Sequence, residues 1–227
     1  ANVVVHLGAT PVMVDVRDDF TIDPEKVEAA ITVKTKAIVP VDLGGLPADY
    51  PTLWAIVNRN KTQFVPSSDA QKKLGRVALV TDAAHSVGAL VNGEHLGKQA
   101  DAMVFSFHAV KNLTTAEGGA VCMNLPEQID CDEVYTWLNT RSLHGQSKDA
   151  LAKTQVGGWE YDVVDAGWKC NMTDIQAAIG LVELERYDND TLVKRRNVAE
   201  AYQKAFSEKS WAICPVLKDE QRTTSYH

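Results

Sequence analysis

Two polar segments of this chain carry residue types that enzymes use for catalysis. The segment 82–85 (DAAH) follows the apolar run 76–81, and the segment 106–112 (SFHAVKN) follows the apolar run 101–105. Short apolar runs of this kind are typical of buried strands in a parallel sheet. Because ligands gather at the carboxyl ends of such strands, we expect both segments to border one site.

Each residue of these segments also has an ordinary structural explanation. Asp82 could cap a helix, and Lys111 could be a solvated surface lysine. His85 and His108 could be core histidines whose ring nitrogens are satisfied by neighbours. It is the combination of these residues at two strand ends that favours a functional interpretation.

A lysine, a carboxylate and a hydroxyl at one sheet edge match the chemistry that pyridoxal phosphate requires. Its aldehyde needs a lysine amine, its pyridine nitrogen needs an acid that keeps the ring protonated, and its phosphate needs hydroxyl and backbone donors. Lys111, Asp82 and Ser106 are the candidates for these three roles. The carboxylate of Asp82 and a pyridinium ring would each stabilise the charge of the other.

The segments that must position these residues alternate between strand and helix patterns, which predicts an α/β fold with a mostly parallel sheet. Strands are predicted at 10–15, 36–41, 76–81, 101–106 and 119–124. Helices are predicted at 24–31, 51–58, 126–143, 173–187 and 192–206. The polar run 61–73 predicts a solvated surface loop, and the valine-rich run 2–7 fits either a strand or a helix.

The composition limits the classes of function that the chain can serve. With 227 residues, 45% of them hydrophobic, the chain can bury a full core and is unlike a disordered protein. Its 23 basic and 30 acidic residues give a formal net charge of −7, so we do not expect nucleic acid as a partner. The sequence has no membrane-spanning apolar run and no signal-peptide pattern, so we expect a cytoplasmic protein without a membrane partner.

No metal site is predicted. The four cysteines lie far apart and form no C-x-x-C pair, so neither a zinc site nor a disulfide framework is indicated. The acidic cluster of Asp130, Asp132 and Glu133 is expected to begin a helix rather than to bind a metal ion.

Five ordered motifs resemble the sugar-nucleotide aminotransferases of the DegT/StrS family. They are DAAHSVG at 82–88, SFHAVKN at 106–112, EGG at 117–119, LHG at 143–145 and GWKCNMTDIQ at 167–176. The resemblance runs from about residue 7 to about residue 202, and within the family it points toward enzymes that form UDP-4-amino-4-deoxy-L-arabinose. It implies the large domain of a fold-type-I enzyme that depends on pyridoxal phosphate, a three-layer α/β architecture around a mostly parallel sheet.

The resemblance implies a role for each matching residue. Lys111 resembles the family's Schiff-base lysine, Asp82 the partner of the pyridine nitrogen, and Ser106 a phosphate ligand. His85 matches a position that holds a Gln or His against the cofactor ring. Asn171 matches an asparagine that reaches across a dimer interface to the phosphate in the neighbouring subunit.

His108 would lie beside the substrate or amino-donor pocket by the same resemblance, with a core histidine as the alternative. The run 2–7 would be the end of a helix. Residues 1–207 would form the cofactor domain without its N-terminal part, and residues 208–227 would begin a small α+β domain with strands near 211–215 and 226–227. We therefore expect the chain to be a fragment that binds the cofactor poorly and is inactive by itself.

The resemblance thus implies a homodimeric aminotransferase that moves an amino group from glutamate to a keto-sugar nucleotide, in amino-sugar or cell-surface polysaccharide biosynthesis. Two other classes remain open. One is a sensor or partner subunit that binds the cofactor without turnover, which the presence of Lys111 and Asp82 disfavours. The other is a pyridoxal phosphate enzyme acting on an amino acid, which does not account for the segment NMTDIQ at 171–176.

Overall fold

A computed structural model describes residues 1–147 and 159–227 of the chain. Its α-helices are α1 Asn2–His6, α2 Pro24–Ala30, α3 Tyr50–Arg59, α4 Asp69–Leu74, α5 Cys131–Ser142, α6 Asp174–Arg186 and α7 Leu192–Phe206. Its strands are β1 Ala37–Ile38, β2 Ala78–Asp82, β3 Leu90–Val91, β4 Glu94–His95, β5 Ala102–Ser106, β6 Gly119–Met123 and β7 Arg222–Thr223. Short 3-10 helices lie at Leu43–Gly45 and Lys61–Gln63, and a π-helical segment, Tyr187–Thr191, joins α6 to α7.

The main sheet has four strands in the order β1-β2-β5-β6. β2 is parallel to both of its neighbours, and β6 runs antiparallel to β5. The connection from β1 to β2 contains α3 and α4, as a crossover between parallel strands requires. The predicted α/β fold with a mostly parallel sheet is confirmed.

The core lies between the main sheet and α3. Leu53 and Val57 of α3 are fully buried and belong to one apolar cluster with Leu79 of β2 and Met103 of β5. Burial of each such side chain stabilises the fold by about 2 kcal/mol. This packing fixes β2 and β5 side by side, and their carboxyl ends carry the candidate site.

A second, three-stranded antiparallel sheet has the order β4-β3-β7. β3 and β4 lie between β2 and β5 in the chain, whereas β7 is Arg222–Thr223. This sheet therefore joins the C-terminal segment to the segment that connects β2 with β5. The C-terminal segment is thereby held next to the turn after β2.

Capping residues determine where several helices begin. The side chain of Asp23 accepts hydrogen bonds from the first turn of α2, and that of Asp130 does the same for α5. Thr173 and Gln176 form a reciprocal capping box at the start of α6. The predicted helix start at the acidic cluster is confirmed, as is the helical assignment of 2–7, which forms α1.

Four predicted elements are wrong. Residues 10–15 form no strand, because Pro11 lacks a donor and the side chains of Val12 and Met13 lie exposed without a neighbouring strand. The run 61–73 is not a plain loop, since it contains a 3-10 turn and most of α4, which Ser68 caps. Residues 211–215 and 226–227 are not strands, and β7 lies between them instead.

None of the helices in the described parts of the chain is long and apolar enough to cross a membrane.

Candidate active site

The carboxyl ends of β2 and β5 meet at one edge of the main sheet. β2 ends at Asp82 and β5 ends at Ser106, and the two strands are parallel neighbours. The turn after β2 carries His85, and the turn after β5 leads to Lys111. Burial lowers the pKa of His85, the positive charge of Lys111 lowers it further, and the negative charge of Asp82 raises it, so the three groups are close enough to interact. The structure brings these predicted residues together.

His85 is held by the chain on two sides. The backbone N–H of Gly44 donates a hydrogen bond to His85 Nδ1 at 3.2 Å. The ring of His227 stacks on the ring of His85, with centroids 3.9 Å apart and an angle of 19° between the planes. Burial, followed by the charge of Lys111, lowers the pKa of His85, so that this imidazole is neutral at physiological pH.

Lys111 lies in a turn that is anchored through its backbone. Its N–H donates to the carbonyl oxygen of His108 at 2.9 Å, and the next residue, Asn112, is buried. Within the described residues the side-chain amine of Lys111 makes no hydrogen bond and no ion pair. A half-buried amine without a partner is available to an incoming electrophile.

Asp82 carries the matching opposite charge. One of its carboxylate oxygens accepts from the backbone N–H of Ala84 at 3.1 Å, which keeps the side chain at the end of β2. Asp82 and Lys111 form no ion pair with each other, and within the described residues Asp82 has no ion pair with any other group. Two unpaired opposite charges thus lie at one sheet edge.

Ser106 and His108 lie at the same edge, with different surroundings. The hydroxyl of Ser106 accepts from the backbone N–H of His108 at 3.3 Å. The His108 side chain is exposed, and its Nε2 lies 3.4 Å from a carboxylate oxygen of Glu117. His108 is therefore not a core histidine, because its ring lies at the surface and contacts an exposed acid.

Asn171 is the one predicted site residue that the structure leaves outside this cluster. It is exposed, and its Oδ1 accepts from Lys169 Nζ at 2.6 Å. Its Nδ2 donates to the carbonyl oxygen of Met172 at 3.3 Å. These hydrogen bonds are local, and none of them joins Asn171 to Asp82, His85 or Lys111.

Asp42 is a buried acid behind the site that the sequence analysis missed. Its carboxylate accepts from the backbone N–H of Ala48 at 2.8 Å, from the Ser86 hydroxyl at 2.8 Å, and from the Tyr50 hydroxyl at 2.8 and 2.9 Å. Burial raises the pKa of Asp42 to about 6 in spite of these hydrogen bonds. Its backbone N–H donates to the carbonyl oxygen of Asp82 at 3.1 Å. The position of Asp42 directly after a predicted strand was the signal that could have found it.

The C-terminal segment contacts the site. The sequence did not predict the contacts that residues 225–227 make there. Asn112 Nδ2 donates to the carbonyl oxygen of Ser225 at 2.7 Å, and Asn112 Oδ1 lies 2.9 Å from His227 Nδ1. The hydroxyl of Ser225 donates to the carbonyl oxygen of His85. The turn that carries Lys111 and the turn that carries His85 are thus both tied to residues 225–227.

A groove of about 1060 Å³ opens beside the site. Its walls come from α7, from the turn at Leu43–Gly45 and from the C-terminal segment. Gly44 and His227 belong to both the groove and the site, so the groove is continuous with the site at the stacked histidines.

Known proteins match this chain over its whole length. The model of the DegT/DnrJ/EryC1/StrS aminotransferase family matches residues 1–227. The spore coat polysaccharide biosynthesis protein SpsC of Bacillus subtilis (strain 168) is 38% identical over 224 residues, which are 98% of this chain and 52% of SpsC.

Solved structures show the same architecture. Spr1654 from Streptococcus pneumoniae, assigned as a sugar aminotransferase, matches in its PMP form with a TM-score of 0.90 and 44% identity, over 100% of this chain and 56% of that one. Its PLP form matches with a TM-score of 0.87 and 42% identity, over 99% and 55%. Helicobacter pylori PseC, an aminotransferase involved in the biosynthesis of pseudoaminic acid, matches with a TM-score of 0.73 and 29% identity, over 92% of this chain and 49% of that one.

The chain spans about half the length of the relatives that it matches. The family model nevertheless covers all of its residues, and the motifs that border the site lie within the match. This chain belongs to the DegT/DnrJ/EryC1/StrS aminotransferase family.

Proposed function

We propose that this protein is a pyridoxal phosphate-dependent aminotransferase that transfers the amino group of glutamate to a keto-sugar nucleotide. The observation that carries the proposal is the pair of unpaired opposite charges, Lys111 and Asp82, at the carboxyl ends of two neighbouring parallel strands. Membership of the aminotransferase family supports the reaction type. The polysaccharide role in the name of SpsC and the sugar substrate class of Spr1654 support a sugar as the acceptor.

The residues of the site fit pyridoxal phosphate. The Lys111 amine has no described partner that would compete with the cofactor's aldehyde, and Asp82 has no described cation that would compete with a protonated ring nitrogen. The Ser106 hydroxyl at the end of β5 is a donor of the kind that a phosphate requires. When bound, the cofactor supplies an electron sink for the electron pair released at the amino-bearing carbon.

Lys111 has two tasks in this proposal. Its amine would hold the cofactor through the aldehyde, and once the amino donor had displaced it, the free amine would be the base that accepts and returns the transferred proton. Burial lowers the pKa of both neighbouring histidines, His85 and His227, so both rings are neutral. They therefore place no second positive charge beside the Lys111 amine.

Asp82 and His85 hold the ring in place. The carboxylate of Asp82 stabilises the proton on the ring nitrogen, because an opposite charge favours the charged form. His85 is fixed by Gly44 and by the stacked His227, so its ring can pack against the cofactor without reorganisation. His108, exposed beside Glu117, is proposed to contact the substrate or the amino donor.

We propose that the enzyme acts as a homodimer in which Asn171 reaches the phosphate in the partner subunit. The exposed position of Asn171 supports this proposal, because its side chain does not reach the site of its own chain through any described hydrogen bond. α6, which follows Asn171, has no buried residue and exposes Ile175, Leu181 and Val182. An exposed apolar helix next to Asn171 is suited to a subunit interface.

The proposed location is the cytoplasm. The four cysteines form no disulfide, which agrees with a reducing compartment.

We also propose that residues 208–227 begin a second, smaller domain that follows the cofactor domain of residues 1–207.

The first experiment tests the cofactor site. The full-length protein is incubated with pyridoxal phosphate, reduced with borohydride, digested and analysed by mass spectrometry. The label is expected on Lys111 and is expected to be lost in Lys111→Ala. Lys98→Ala is the matched control, because Lys98 is exposed and precedes the amino end of the same strand, β5. A label on another lysine, or a label that survives Lys111→Ala, contradicts the proposal.

The second experiment tests the substrate. Glutamate and a panel of 3-keto and 4-keto sugar nucleotides are offered to the loaded enzyme, and 2-oxoglutarate and the amino sugar are measured. Formation of both products supports the proposal. Labelling without turnover on any sugar would favour a cofactor-binding protein without catalysis, and turnover of alanine or cysteine alone would favour an enzyme of amino-acid metabolism.

A further inference from the structure

Asn112 has an amide orientation that its neighbours determine. Its Nδ2 donates to the carbonyl oxygen of Ser225 at 2.7 Å. Because a carbonyl oxygen can only accept, this contact requires the NH₂ group of Asn112. The Asn112 oxygen is therefore left facing His227.

This orientation decides which nitrogen of His227 carries the proton. His227 Nδ1 lies 2.9 Å from Asn112 Oδ1, which can only accept a hydrogen bond. Nδ1 must therefore be the donor. Burial, together with the nearby His85, Lys111 and Arg195, lowers the pKa of His227 to about 4, so the ring is neutral at physiological pH. A neutral ring with its proton on Nδ1 has a lone pair on Nε2.

His85 has the opposite arrangement. The Gly44 N–H can only donate, so His85 Nδ1 must accept and carries a lone pair. The proton of the neutral His85 ring is then on Nε2. The charged groups that act on this ring are Lys111 and Asp82, and the effect of Lys111 is the larger of the two.

We propose that Asn112 is a positioning residue that holds His227 in the Nδ1–H tautomer, so that the stacked imidazoles present one N–H donor, His85 Nε2, and one lone-pair acceptor, His227 Nε2. The inference deepens the proposed function, because it rests on that function for the identity of the site. The acceptor suits a ligand group that has protons to donate, a hydroxyl or an ammonium. It disfavours a carbonyl or phosphate oxygen at the same place, since two acceptors cannot hydrogen-bond.

The stacking favours the neutral form of both rings, and each ring has a defined tautomer only while it is neutral. The ring centroids are 3.9 Å apart, so a charge on one ring disfavours a charge on the other, and the Lys111 ammonium disfavours a charge on either. Asn112 is buried and directly follows Lys111 in the chain, so it joins this pair to the turn that carries the Lys111 amine.

The tautomers are read by nitrogen-15 NMR on the full-length protein with labelled histidine. At neutral pH we expect His85 to be protonated on Nε2 alone and His227 on Nδ1 alone. His227 protonated on Nε2 in the unaltered protein overturns the inference, whether or not Lys111 takes the cofactor. Conversely, the expected tautomers without labelling of Lys111 would overturn the proposed function only.

Two variants test the role of Asn112. Asn112→Asp keeps the shape and places a negative charge beside His227 Nδ1, so the titration midpoint of His227 is expected to rise by at least about one pH unit. Asn112→Leu removes the acceptor, and His227 is expected to populate both tautomers while His85 keeps its own. Asn124→Ala, at an exposed asparagine bonded to Lys98, is the control and should change neither histidine. If His227 is unchanged in both Asn112 variants, Asn112 is not a positioning residue.

The ligand class is tested with two probes, glutamate for an ammonium and UDP-glucose for hydroxyl groups, each at saturation. A change of the His227 Nε2 resonance with one probe identifies the group that donates to it. An unchanged resonance with both probes overturns the role of His227 as a ligand acceptor.

Discussion

The backbone N–H of Ser225 donates a hydrogen bond to the carbonyl oxygen of Gly45 at 3.1 Å, which places two residues 180 positions apart in direct contact beside His85. Gly45 has a φ of +82°, and a methyl group at its Cβ position would overlap the Ser225 hydroxyl. The C-terminal segment can dock at this turn only because residue 45 has no side chain.

Gly45→Ala is therefore expected to destabilise the protein by about 3 kcal/mol, since it combines overlap with a left-handed backbone. Gly44→Ala is the matched control. Gly44 has a φ of +63° but no atom within 4 Å of its Cβ position, so the loss should be about 1 kcal/mol. Urea unfolding of the full-length protein measures both, and equal losses would contradict the close approach of Ser225.

The ion pair of Arg76 and Asp101 anchors the amino ends of β2 and β5. Two hydrogen bonds of 2.7 and 2.6 Å join the side chains, which are 14% and 3% exposed, and Asp101 also accepts from the Leu79 N–H. Arg76→Met leaves a buried carboxylate unpaired and is expected to cost about 3 kcal/mol of unfolding free energy.

Arg59 and Glu28 provide the comparison for Arg76. They form the same two-bonded geometry, at 3.0 and 2.8 Å, but both side chains are exposed. Arg59→Met should cost clearly less unfolding free energy than Arg76→Met, because solvent screens the exposed pair. Thermal and urea unfolding compare the two variants, and a larger loss for Arg59→Met would refute the ranking by burial.

Asp42 should make folding stability depend on pH. Its pKa is about 6 in the folded protein and near the ordinary aspartate value of 3.8 in the unfolded chain, so the folded state holds the proton more tightly. This contribution is complete below about pH 4 and is lost as the pH rises through about 6. The stability of the unaltered protein relative to Asp42→Asn should therefore fall by up to about 3 kcal/mol between about pH 4 and pH 7.

Tyr50→Phe is the control for Asp42, because it removes one hydrogen bond and keeps the titrating carboxylate. Tyr50→Phe should retain the pH dependence that Asp42→Asn loses. Urea unfolding at a series of pH values measures the free energy of unfolding of each variant and of the unaltered protein. If the free energy of unfolding of Asp42→Asn differs from that of the unaltered protein by the same amount at every pH, Asp42 does not bind its proton more tightly in the folded state.

Asp82→Asn should separate cofactor attachment from turnover. Lys111 remains, so borohydride should still fix the label on it, but the ring nitrogen loses its counter-charge. We expect the transamination rate to fall by at least about 100-fold. Asp69→Asn on exposed α4 should leave the rate unchanged. An unchanged rate in Asp82→Asn would remove Asp82 from the proposed site.

Mixing two inactive variants tests the shared site. If Asn171 serves the partner subunit, a dimer of one Lys111→Ala chain and one Asn171→Ala chain contains one intact site. Random exchange of subunits should then restore roughly a quarter of the activity. Light scattering establishes the dimer, and no recovery after verified exchange would place Asn171 in its own subunit's site. Full activity of Asn171→Ala by itself would place Asn171 outside any site.

The sequence by itself determined the candidate cluster and the elements that carry it. Asp82, Ser106 and Lys111 follow apolar runs that form β2 and β5, and parallel strands bring their carboxyl ends to one edge by geometry alone. The starts of α2, α5 and α6 were likewise set by local capping residues. Signals of this kind lie within a few residues of one another and do not depend on the rest of the chain.

Only the tertiary structure decided what surrounds that cluster. The runs 10–15 and 211–215 have the apolar composition of strands, but a strand exists only where a neighbour accepts its hydrogen bonds. Asp42 became a buried acid, and Asn112 met Ser225 and His227, through contacts between residues up to 115 positions apart. Such pairings are fixed when the core brings the sheets together, so local sequence does not contain them.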